Sequence, residues 1–167
     1  MTVTRGGWRR LTAACHSLLS FVLAVSVGIL VLPVALQIFS RFTSLIPHYI
    51  WTEEMARFLF VWLVMIGAMV GVRESAHFDV DIFPRMGRRG TAVVNLVTRV
   101  ATLVLAATFI EAGWEFTAFA WNRISELAEL PLWMIHIAWP LTGVVWAVFL
   151  GEQVFDDLRA LFGRVVA

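Results

Sequence analysis

Apolar residues along this chain gather into four long segments separated by short polar stretches. The first runs from about Ser17 to Phe39, the second from about Glu54 to Val72. The third covers about Ala92 to Phe119 and the fourth about Leu132 to Leu150. As helices, these approach or exceed the roughly 30 Å hydrocarbon core of a bilayer. The pattern predicts an all-α integral membrane protein, a single four-helix membrane domain over residues 1–167 with spans 17–39, 54–72, 92–119 and 132–150. Pro131 suits a first helical turn. Pro140 should kink the fourth helix, because proline removes a backbone donor and crowds the preceding turn.

The second segment is the most informative. Fifteen uncharged residues, Phe58 to Val72, lie between Glu53, Glu54 and Arg57 on one side and Arg73, Glu74, His77, Asp79 and Asp81 on the other. Arg57 and Arg73 are sixteen residues apart, about 24 Å along a helix. With both arginines snorkelling outward, the helix spans a membrane with its charged ends held at the two surfaces.

Arginine placement sets the orientation. Arg5, Arg9 and Arg10 precede the first span, Arg73, Arg85, Arg88 and Arg89 lie between the second and third, and Arg159 and Arg164 follow the fourth. With four spans all nine fall on one side, against Arg41 and Arg123 on the other. Positive residues favour the inside, so both termini are predicted cytoplasmic. The 40–52 and 120–130 loops are then external, with Trp51, Trp121 and Trp133 forming an outer aromatic belt. The loop Ser75–Gly90 contains HFDVDIF, whose alternation suits the inner membrane surface.

Composition agrees with the membrane class. The chain is 60% hydrophobic with mean hydropathy +0.82, whereas soluble domains sit nearer 45–50% apolar. Net charge is +1, and no strong basic or acidic run suggests nucleic acid. All thirteen basic residues are arginine, which reads as codon bias. Cys15 stands alone, so neither an internal disulfide nor a cysteine-rich metal site is possible. LTAAC precedes the apolar run, unlike a lipoprotein cleavage site. The Leu18–Phe39 run is too long for a typical signal-peptide core. The loops leave no room for a separate catalytic module.

Thr52 can cap the second helix, and Glu53 and Glu54 suit its positive end. Both glutamates are spaced to pair with Arg57. The cluster is either a self-paired helix end or a polar contact to another membrane protein. Arg73, His77 and Asp81, four apart, share a face if that helix continues; one histidine and two aspartates make a poor metal site. Arg99, Glu111 and Glu115 interrupt the third segment. Either that helix projects beyond the bilayer or its carboxylates face protein, and intramembrane carboxylates can also mark ion or proton paths. His16, His48, His77 and His136 lie at unmatched depths, which disfavours axial haem ligation. Nucleophilic triads, nucleotide-binding motifs and dinucleotide fingerprints are absent from the sequence. Gly67 and Gly71 form GxxxG, which permits close helix approach.

WTEEMAR (Trp51–Arg57), followed by Phe60, Val61, Trp62, Gly67, Val72, Arg73, Glu74, His77, Val80 and Asp81, resembles the signature of the small membrane subunit of TRAP transporters, the DctQ-like family. Ser125, LPLW (Leu130–Trp133) and PLTG (Pro140–Gly143) resemble the same family further on. The resemblance implies an accessory subunit, without cofactor or metal, in the bacterial inner membrane. It implies a secondary transporter importing an organic acid, usually with sodium. It also implies two protein partners besides membrane lipid: a large DctM-like membrane subunit and a DctP-like periplasmic binding protein. Glu53, Glu54, Arg57, Trp62 and Gly67 become candidates for partner contact or docking. Arg73, His77 and Asp81 would brace the inner edge, and Arg99, Glu111, Glu115, Ser125, Pro131 and Pro140 are secondary candidates. Because the chain ends soon after the fourth segment, a separate large-subunit chain is expected. With neither a discontinuous helix pair nor a repeated half, the chain looks poorly equipped to transport alone. Two other readings remain: a membrane redox anchor binding haem or quinone, and a stand-alone exporter coupling protons through Glu111 or Glu115.

Overall fold

A computed structural model describes residues 3–43, 49–74 and 88–162. In lipid every backbone polar group has to be satisfied within its own segment, so apolar runs of this length become helices. Those described are α1 (Val3–Phe42), α2 (Trp51–Arg73), α3 (Arg88–Ala120), α4 (Trp133–His136) and α5 (Ala138–Phe162). Four stretches are long and apolar enough to cross a membrane: Arg9–Phe42, Trp51–Arg73, Val94–Ala120 and Trp133–Val154. The expected four spans are all present. α1 and α3 are longer than expected, at 40 and 33 residues. They measure about 60 and 50 Å, well beyond the hydrocarbon thickness.

The helices stand in a row: α1 packs on α2, α2 on α5 and α5 on α3. Among the described residues α1 and α3 share no packed interface. The core therefore lies along α2 and α5. Phe58, Met65, Ile66, Met69, Val70 and Val72 are buried on α2, and Trp146, Phe149 and Leu150 on α5. The most apolar window of α1 has no buried residue, so its side chains face outward except along α2.

α3 and α5 approach most closely where they carry no side chain. A Cβ on Gly143 would lie 2.6 Å from the Ala106 carbonyl oxygen, and one on Gly113 would lie 2.7 Å from Pro140. Ala106 and Ala138 are fully buried at this seam. By contrast, a Cβ on Gly67 would meet only Leu23 at 3.7 Å, an ordinary contact. The tight crossing thus belongs to Gly113 and Gly143, not to the Gly67 end of GxxxG. Buried threonines are tolerated here because each hydroxyl donates to the carbonyl four residues back. Thr102 bonds Thr98, Thr117 bonds Gly113 and Thr142 bonds Ala138, which removes the desolvation cost of a bare hydroxyl.

The fourth span is divided. The helix breaks at Ile137, between α4 and α5, and Pro140 is the third residue of α5. Proline has no N–H to give the His136 carbonyl and its ring crowds that turn, so the expected kink appears as an interruption. Pro131 does not occupy a first helical turn. It lies just before the N-cap Leu132 and forms an isolated β-bridge with Ile124.

Candidate functional site

The motif residues divide into three layers along α2. At its first turn, Thr52 does not cap the helix: the N-cap position is Ile50, without a side-chain bond. The Thr52 hydroxyl instead donates back to the Tyr49 carbonyl at 2.7 Å. Glu54 turns away from its own helix toward the loop between α3 and α4. Its Oε2 accepts the N–H of Ala128 at 2.6 Å and of Leu127 at 3.0 Å. The Ser125 hydroxyl bonds the same carboxylate. That loop is a small closed turn. Ser125 N–H donates to the Leu130 carbonyl at 2.9 Å and Leu132 N–H to the Arg123 carbonyl at 3.0 Å. Glu129 takes a positive φ of 52°, a left-handed conformation that closes the turn at a steric cost.

The middle layer is held by indole N–H groups. Trp62 Nε1 donates to the Met134 carbonyl at 3.0 Å, and Trp146 Nε1 to the Ala68 carbonyl at 3.0 Å. Each indole sits on one helix and reaches the backbone of another, so α2 is pinned to both halves of the fourth span. Phe109 stacks on Trp146 with centroids 5.2 Å apart, which extends the pin to α3.

At the far end of α2, Arg73 lies 3.6 Å from Glu152 and its guanidinium sits 5.1 Å over the Phe149 ring. Arg9 of α1 approaches the same Glu152 at 3.8 Å. Arg99 of α3 donates to the Gln153 carbonyl at 2.8 Å, while the Gln153 side chain reaches the Val72 and Arg73 carbonyls at 3.4 Å. His16 Nε2 is buried 3.2 Å from Glu74 Oε1 without an aligned hydrogen bond. Glu152 and Gln153 are thus the centre of a layer joining all four spans, and the fourth-segment prediction had stopped short of both.

Some candidates are not drawn into the bundle. Glu53 and Arg57 pair at 3.6 Å on the outer surface of α2, both about two-thirds exposed. Glu54, Arg57, Arg123, Ser125, Glu126 and Leu132 contribute to an open cleft of about 520 Å³. Arg123 lies 3.9 Å over the Phe119 ring at its edge. Glu111 and Glu115 are exposed on α3. His77 and Asp81 lie outside the described residues, as do His48 and the HFDVDIF loop. His136 stacks on Phe116, with centroids 6.0 Å apart. Among the described residues no cluster of three metal-ligating side chains occurs. What the arrangement does chemically is fix four helices to one another and leave charged groups exposed at both ends of the row and on α3.

The structure explains why sequence reasoning overlooked Gly113, Trp146 and Gln153. Each acts on a partner helix distant in sequence, and only the glycine spacing opposite Pro140 carried any signal. Comparison with known proteins is consistent over most of the chain. Residues 30–160 match the family model for the DctQ component of tripartite ATP-independent periplasmic transporters. A TRAP transporter small permease protein of Haemophilus influenzae is 24% identical over 112 residues, covering 66% of this chain and 70% of that protein. The sialic acid TRAP transporter small permease protein SiaQ of Vibrio cholerae is 25% identical over 118 residues, covering 68% and 66%. The isethionate TRAP transporter permease protein DctMQ of Oleidesulfovibrio alaskensis is 27% identical over 113 residues, 66% of this chain but 18% of that longer protein.

Proposed function

The chain belongs to the DctQ family of TRAP transporter components, multi-pass proteins of the bacterial inner membrane, and we propose that it is the fixed scaffold subunit of an importer for an organic acid anion. The observation that carries this reading is how the motif is used. Glu54, Trp62 and Arg73 hold α2 to the rest of the chain. Such cross-braced helices suit a static support and not a moving carrier.

The partner in this reading is a large DctM-like subunit, which holds the substrate and the coupling ion, sodium. That one relative is a DctMQ permease supports the pairing. The Arg73 end of the row faces the cytoplasm by the positive-inside rule, with both termini on that side. The Glu54 end then faces the periplasm. The cleft beside Arg57 and Arg123 becomes a surface where a DctP-like binding protein docks, with exposed charges steering the encounter. Relatives named for sialic acid, isethionate and C4-dicarboxylates support an organic anion as cargo.

The test is reconstitution of a large TRAP subunit and binding protein from the same genome, with and without this chain. The expected result is a stable membrane complex and uptake that needs all three. Undiminished uptake without this chain overturns the proposal.

A further inference from the structure

α3 carries a charge where a lipid-facing helix should carry none. Glu111 lies twelve residues from Arg99 and ten from Trp121, about 18 Å and 15 Å along the helix. Arg99 is bonded at the level of Gln153 and Arg73, at one charged end of the row. Trp121 stacks on Trp133 at the other end, with centroids 5.3 Å apart. Glu111 therefore stands near mid-depth in the membrane. It is exposed, and among the described residues neither it nor Glu115 has a bonded partner.

The surroundings of Glu111 make a helix-docking face. Val100, Val104, Ala107, Glu115 and Ala118 share its side of α3 by helical spacing, and all are exposed. α3 is the end of the row and packs mainly on α5 and α4, so among the described residues nothing covers this side. Small residues flanking a polar one let a second helix approach closely and bond to it.

Three occupants can be weighed by charge. Acyl chains offer no counter-charge, so a carboxylate at this depth is costly against lipid. A second copy of the chain, docked symmetrically, would bring Glu111 against Glu111, two like charges in a low dielectric. A membrane helix presenting an arginine or lysine satisfies the carboxylate and uses the small-residue surface. We propose that the α3 face centred on Glu111 is where the large membrane subunit docks, through a basic side chain within one of its spans. This inference rests on the scaffold-subunit reading and specifies which face meets the partner.

The experiment is co-purification of the tagged chain with the large subunit in mild detergent, with solubility and helicity of each variant checked alone. Glu111→Gln should lower recovered complex several-fold, and Glu111→Lys should lower it at least about tenfold, as expected when one member of a desolvated charge pair is removed or reversed. A photoreactive amino acid at Ala107 should cross-link the large subunit, whereas one at Val25 on α1 should not. Should Glu111→Lys fail to fold, Glu111→Gln and the cross-link decide. Full recovery with Glu111→Gln, or cross-linking from Val25 and not from Ala107, overturns the assignment of this face while leaving the subunit reading intact. If the unaltered chain captures no large subunit, the subunit reading fails and this inference fails with it.

Discussion

Glu54 and Ala128 are joined by a 2.6 Å bond from backbone N–H to carboxylate across 74 positions of sequence. The bond ties the first turn of α2 to the turn between α3 and α4. A carboxylate accepting Ala128, Leu127 and Ser125 together is a fixed acceptor for a loop that satisfies those donors only in part, the Ala128 N–H reaching the Ser125 hydroxyl at 3.4 Å. Such charge-assisted bonds are stronger than neutral ones, which suits a loop exposed to water on one side.

Removing that acceptor should loosen the loop without unfolding the helices. Glu54→Ala should speed amide hydrogen exchange at Leu127 and Ala128 by about tenfold, the scale of one lost charge-assisted hydrogen bond. Glu54→Gln keeps one acceptor oxygen and should show a smaller effect. Tryptic cleavage after Arg123 in detergent should follow the same order. Unchanged exchange in Glu54→Ala would show that the turn is held by its own backbone bonds.

The Gly143 contact makes a stability prediction with a built-in control. A methyl at this position would sit 2.6 Å from the Ala106 carbonyl oxygen and 3.0 Å from Ile110 N, both backbone atoms that cannot swing aside. Overpacking of this kind costs about 1–3 kcal/mol, while alanine regains up to about 1 kcal/mol of helix propensity. Gly143→Ala should therefore lower the thermal midpoint. Gly28→Ala, with nothing within 4 Å of its added methyl, should hold or raise it.

Trp146 separates a hydrogen bond from bulk packing. Its Nε1 donates to the Ala68 carbonyl, which lies inside α2 and has a helical partner as well. Trp146→Phe removes the donor and leaves no unpaired group, so it should cost about 1 kcal/mol. Trp146→Ala also empties a buried site beside Phe109 and should cost about 3–5 kcal/mol. Denaturation of the purified chain in mixed micelles distinguishes the two. Equal losses would mean that the ring volume does nothing.

The number of spans was legible because a lipid environment imposes length and apolarity directly on the sequence. The pairing of Glu53 with Arg57 was legible for the same local reason, four-residue spacing on one helix. The partner of Glu54 was not. Spacing suggested Arg57, while the chosen partners are backbone amides over seventy positions away, and amides leave no mark on residue identity. Thr52 looked like a cap, yet its hydroxyl found the Tyr49 carbonyl because the helix begins two residues earlier, with Ile50 at the N-cap. Glu152 and Gln153 escaped notice because apolarity ends at Leu150, whereas α5 continues to Phe162. A helix that leaves the membrane loses its hydropathy signal but not its hydrogen bonds.

Arg57 and Arg41 provide the last prediction, because both are exposed arginines near the same end of the row. Among the described residues Arg57 pairs along its own helix, with Glu53 at 3.6 Å and both side chains mostly exposed, and such a pair contributes about 0–1 kcal/mol. Arg57→Ala should therefore leave the thermal midpoint nearly unchanged. Arg57 also lines the cleft beside Arg123 and Glu126, a surface that Arg41 does not line. If that cleft receives the binding protein, Arg57→Ala should slow association and reduce uptake several-fold, more at low salt than at high, since steering by rim charges is screened. Arg41→Ala should change neither. The comparison needs uptake in vesicles at two ionic strengths beside a stability measurement on each variant. Equal uptake by both variants would remove the cleft from the docking surface while leaving the fold account intact.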